Sequence, residues 1–132
     1  MRPIANAPDA ETMHAMAMRA FAKLPAEFRA HLGDVVIQIA EEADGETLAS
    51  VGLDHPLDLT GIYIGIPVGE KSIEMTGALP DRIFLYRRAI LHEATLDGHD
   101  VERLVGNVLV HEIGHHFGLS DDDMHALEDM VD

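Results

Sequence analysis

Hydrophobic positions recur along the chain with two periods, and the changes of period divide it into elements. From residue 8 to 24, Met13, Met16, Ala17, Ala20, Phe21 and Leu24 fall three and four apart, the spacing of one helix face. Pro8, Asp9 and Glu11 suit its first turn. Pro25 restarts the chain, and Ala26 to Leu32 fits a second short helix closed by Gly33. In VVIQIAEEA, beginning at Val35, Ile37 and Ile39 continue an alternation with Val36, Gln38 and Ala40, so a first strand is expected. Residues 43 to 60 are polar and rich in turn formers, with Asp44-Gly45 and His55-Pro56, and read as a loop with room for one helical turn. Gly61 to Val68 puts Ile62, Ile64 and Ile66 on one side of a second strand, and Pro67 bars its end from a central ladder position. A loop follows from 68 to 80, then a strand over 82 to 90. His92 and Glu93 begin a connection through Asp97-Gly98.

The period of a helix returns with Asp97 or Asp100 as its cap. Val101, Leu104, Val105, Val108, Leu109, Ile113 and Phe117 make an apolar band wide enough for a central, buried helix. Gly106 and Gly114 weaken it as an isolated helix, so close packing against a neighbour is their expected role. Ser120 with Asp123 resembles a capping box for a last helix over 121 to 130.

A chain of 132 residues favours one domain, spanning 1–132, with a modest core. The net charge of −15 repels phosphate backbones, so nucleic acid is not an expected partner, and it attracts divalent cations. The absence of cysteine excludes disulfides and thiolate metal sites. MRPIANAPDAE lacks an apolar signal core, and the longest apolar stretch, around Gly61 to Gly69, is too short to cross a bilayer. A cytoplasmic protein with no membrane partner is the expectation.

The chemistry concentrates in HEIGHHFGLSD, His111 to Asp121. His111 and His115 are four apart, one above the other on a helix, so their imidazoles can converge on one metal ion. Glu112 follows the first histidine, where a carboxylate reaches a water on the metal without binding the metal itself. Gly118 permits a helix-ending turn that can bring Asp121 back as a third ligand. Two imidazoles, one carboxylate and an open position describe a catalytic zinc site with one ion. Glu128 is the reserve oxygen ligand, from the following helix. Asp122 and Asp123 read as acids favoured by a helix N-terminus, and His116 and His125 as satisfied or exposed histidines.

HExxH followed by xxGxxD resembles the zincin metallopeptidases with aspartate as third ligand. GIYIGIP at 61–67, LPDRIFLYRRAI at 79–90 and HEIGHHFGLSD at 111–121 resemble the small bacterial minimal-zincin family over roughly the last half to two thirds of the chain. The resemblance implies an α+β fold with the motif helix beneath a cleft. It also implies His111, His115 and Asp121 as zinc ligands and Glu112 as general base. No room is expected after Asp121 for the methionine-containing turn of the larger metzincins.

The expected reaction is hydrolysis of a peptide or unfolded protein by metal-activated water, with Glu112 moving the proton. Tyr63, Tyr86, Arg87 and His116 are candidate donors to the developing oxyanion. The 82–88 strand is the candidate edge for an extended substrate, and the 68–80 loop a candidate lid. Two rivals remain. Metal-dependent endoribonucleases share the ten-residue spacing to a third ligand, although Glu at 112, Asp at 121 and the negative charge favour the peptidase. A non-catalytic zinc-binding interaction module is the other.

Overall fold

The computed structural model describes residues 7–33, 35–65 and 81–131. In chain order the elements are helices α1 (Ala10–Ala22) and α2 (Ala26–Leu32), strand β1 (Val36–Ala40), helix α3 (Gly45–Ser50), a 3-10 turn at Pro56–Asp58, strands β2 (Gly61–Ile64) and β3 (Arg82–Tyr86), and helices α4 (Arg87–Asp97), α5 (Val101–Phe117) and α6 (Asp121–Val131). The α+β expectation holds: among the described residues, six helices accompany a small mixed sheet. The 68–80 loop and its role as a lid lie outside the described residues, as does the end of the expected strand beyond Gly65.

β3 is the central strand. It runs parallel to β1, with Ile37 opposite Ile83, and antiparallel to β2, with Ile62 opposite Phe84. Its alternation separates two cores. Ile83 and Leu85 face the larger core, joining Ile37, Met13 and Ala17 of α1, and Val105, Leu109 and Ile113 of α5. Phe84 and Tyr86 face a smaller one with Leu48 of α3 and Ala89 of α4.

Three expectations are corrected here. The 82–90 segment is strand only to Tyr86. From Arg87 it is helical, burying Ala89, Ile90 and Ala94 on one side, where residues 92 to 98 had suggested a plain connection. Because β3 is paired on both sides, the 82–88 stretch cannot offer a free edge to a substrate. The loop expected over 43–60 also holds more order: Asp44 caps α3 by accepting the Thr47 amide at 2.7 Å.

α5 follows its sequence pattern closely. Asp100, rather than Asp97, caps it, accepting the Arg103 amide at 3.0 Å. At its other end Gly118 is left-handed, with φ 66°, and the Leu119 amide returns to the Gly114 carbonyl at 2.9 Å, closing a Schellman turn. Ser120 then caps α6 by accepting the Asp123 amide at 3.2 Å. These two short-range devices fold α6 back along α5.

Candidate active site

The face of α5 that carries Asn107, His111 and His115 borders a cleft of about 480 Å³. Their spacing of four puts all three on one stripe of the helix. Thr60 and Gly61 at the start of β2, Asp58 and Leu59 before it, Glu93 of α4, His99 and Glu128 of α6 contribute the other walls. Among the described residues, the cleft lining contains four carboxylates, from Asp58, Glu93, Glu112 and Glu128, and no lysine or arginine.

His111 and His115 are exposed, and their ring centres stand 6.4 Å apart. Glu112 is different: it is buried beneath the cleft, and burial pushes its carboxyl up from 4.5 to about 7. One carboxylate oxygen lies 3.7 Å from Nδ1 of His115. Glu128 places one oxygen 3.2 Å from Nε2 of His111 and the other 3.6 Å from Nδ1 of His125. Asp121 begins α6, is exposed, and is not part of the cleft wall.

Among the described residues, no three histidine or acidic side chains already form a closed metal-binding cluster. The donors themselves fit zinc, which takes imidazole nitrogen and carboxylate oxygen. The spacing of His111 and Glu128 fits as well. Two ligand atoms about 2 Å from one tetrahedral ion stand roughly 3.3 Å apart.

None of the four residues considered as oxyanion donors lines the cleft. The Tyr63 hydroxyl donates to Asp81 at 2.8 Å, and its ring stacks on His116 at 4.3 Å. Burial, with Asp81 beside it, pushes the Tyr63 phenol well above its ordinary range. Tyr86 is buried, its phenol also raised, chiefly by burial and then by the negative charges of Asp44 and Glu112. Arg87 donates to the Pro8 carbonyl at 2.7 Å and to Glu41 at 2.9 Å.

Sequence reasoning did not single out Thr60, Gly61, His99 or Asn107 as parts of the site. For Asn107 the signal was available: it stands four residues before His111. Its Oδ1 is buried and has no hydrogen-bond partner among the described residues. Thr60 and Gly61 carried no such signal, since only the pairing of β2 with β3 brings them to α5.

A helix with paired histidines and a buried glutamate, packed under a small sheet beside a cleft, defines the zincin class of architecture. The family model of the zincin-like metallopeptidases matches residues 32–131, and the chain belongs to that family. No curated protein matches the chain. No helix among the described residues is long and apolar enough to cross a membrane.

Proposed function

We propose that the chain hydrolyses peptide bonds, with one zinc ion held by His111, His115 and an oxygen ligand after Gly118. The motif's spacing nominates Asp121 for that ligand. Bound there, zinc supplies Lewis acidity and makes a water acidic enough to react near neutral pH. Glu112 takes the proton of the attacking water and delivers it to the departing amine nitrogen. The observation that carries the reading is the setting of Glu112: a buried carboxylate that lines the same cleft as two exposed imidazoles. Burial brings its carboxyl near neutrality, where a group both accepts and returns a proton readily.

The substrate is a peptide or an unfolded segment of protein, bound in extended form. With β3 enclosed, the candidate edge moves to β2, whose first residue lines the cleft. The four carboxylates around the cleft disfavour the ribonuclease alternative, because they repel phosphates.

Glu112→Gln tests the proposal. The variant is expected to keep zinc at the wild-type stoichiometry and to lose hydrolysis of a denatured protein. Cleavage at the wild-type rate would remove Glu112 from the reaction. His111→Ala is expected to lose the metal, and an unchanged zinc content would exclude His111 as a ligand.

A further inference from the structure

We propose that the cleft selects peptides with a positive charge close to the scissile bond, and that Asp58 and Glu93 hold that charge. The inference rests on the zinc-peptidase reading and names the substrate class within it.

The carboxylates of the cleft wall fall into two groups. Two already have imidazole companions: Glu128 stands 3.2 Å from His111, and Glu112 3.7 Å from His115. Asp58 and Glu93 line the same cleft without such company. Among the described residues neither carboxylate has an ion-pair or hydrogen-bond partner. Two negative charges that share a cleft without a counter-ion attract a cation more strongly than either does alone.

Chain connectivity places this second group. α4 ends at Asp97 and α5 starts at Val101, so three residues join them. A link that short makes the two helices neighbours, and they pack against each other. Glu93 stands four residues before the end of α4, and Asn107 six residues after the start of α5. The two are therefore level to within about one helical turn. Asp58 ends the 3-10 turn Pro56–Asp58, which packs on α4. Asn107 in turn precedes His111 by one turn, roughly 6 Å along the axis. A lysine or arginine side chain spans that distance from its own Cα. A peptide's amino terminus covers it from one or two residues away, at up to roughly 3.6 Å per residue.

Asn107 supplies an independent observation. It lines the cleft, and its Oδ1 is a buried acceptor that no described residue satisfies. Such an acceptor is costly unless a donor reaches it. An ammonium carries three N–H donors and a guanidinium five, and neither carries an acceptor. A cation is thus matched to all three side chains at once. A carboxylate or phosphate group would bring only further acceptors.

The test measures binding of fluorescent alanine-rich peptides to the full chain in chelator, by anisotropy. Salt is held at about 0.15 M, where exposed charges more than about 8 Å apart are largely screened. The peptides carry one internal lysine or a glutamine in its place, each with a free or an acetylated amino terminus. One of the two charges is expected to tighten binding about tenfold over the neutral peptide. A preference that follows lysine assigns the subsite to a side chain, and one that follows the free terminus assigns it to the amine. Asp58→Asn combined with Glu93→Gln is expected to reduce the preference to within about twofold. Glu11→Gln, which removes a like charge from α1 outside the cleft, is expected to leave it intact. Circular dichroism checks that each variant is folded. Equal binding of charged and neutral peptides, or binding of none, overturns the inference. So does a preference that falls as far in Glu11→Gln as in Glu93→Gln. Hydrolysis of the same peptides by the zinc-loaded chain is followed separately. Cleavage without charge preference leaves the peptidase reading standing and removes the selection. Charge-dependent binding without cleavage removes the peptidase reading and leaves Asp58 and Glu93 as the holders of a cationic peptide.

Discussion

Met124 lies directly over Gly114. A Cβ built on Gly114 would stand 2.5 Å from the methionine sulfur and 2.7 Å from its Cγ. This contact sets how closely α6 approaches the motif helix, and therefore how far the carboxylate of Glu128 stands from His111.

Gly114→Ala should consequently destabilise the protein although alanine is the better helix former. Overpacking costs ~1–3 kcal/mol, and helix propensity returns up to about 1 kcal/mol. A net loss of roughly 1–2 kcal/mol is expected in urea denaturation. Adding Met124→Ala should recover part of it by clearing the obstruction. Additive losses in the double variant would show that the two side chains do not compete for the same space.

That contact also shows where the sequence stops being informative. α5 and its caps were legible because Asp100, the apolar band and Gly118 act within a few residues of one another. His111, Glu112 and His115 were legible for the same reason, since helical spacing alone puts them together. Asp121 was nominated by spacing, and it stands exposed at the first turn of α6, whose buried face runs through Met124, Leu127 and Val131. The start of α4 was missed because RRAILHEATLD follows a strand with no polar cap: Tyr86 occupies the cap position without a side-chain hydrogen bond. The central place of β3 is a property of three segments together, and the alternation within RIFLY does not contain it.

Glu112 gives the metal-free protein a pH-dependent stability. Its carboxyl is raised by burial from 4.5 to about 7, so the folded state binds this proton more tightly than the unfolded state does. The corresponding stability is fully present below about pH 4.5 and is lost as the pH rises through 7. Glu112→Gln, which stays neutral, should match the parent at the acid end. At pH 8 it should be more stable by on the order of 2–3 kcal/mol. The measurement is chemical denaturation in chelator at several pH values. A stability difference that does not change between pH 4.5 and 8 would contradict the burial argument.

Tyr63 is expected to matter for stability and not for zinc. Its hydroxyl donates at 2.8 Å to Asp81, a residue only 8 % exposed, and its ring stacks on the buried His116. Tyr63→Phe keeps the ring and removes the donor, for an expected loss of about 1–2 kcal/mol. Tyr63→Leu removes the stack as well and should lose more. Zinc affinity should stay within about threefold in Tyr63→Phe, since a threefold change is under 1 kcal/mol and the hydroxyl points to Asp81. A large drop in affinity with unchanged stability would reverse this assignment and bring Tyr63 into the site.

The free edge of β2 makes a prediction that needs no change to the protein. Thr60 accepts a hydrogen bond from the Tyr86 amide at 2.9 Å, and Ile62 lies opposite Phe84 in the antiparallel ladder. Backbone direction alternates along a strand, so Thr60 and Ile62 point their amide and carbonyl groups at β3, while Gly61 and Tyr63 point theirs away. Among the described residues β2 has no other strand neighbour. A substrate paired with this edge should use the backbone groups of every second residue. Peptides N-methylated one position at a time should therefore lose activity in alternation. Each productive position should lower kcat/KM by about tenfold, the equivalent of one hydrogen bond, and the intervening positions should change it little. Equal losses at neighbouring positions would point to steric exclusion from the cleft, and no loss at any position would rule out pairing with β2.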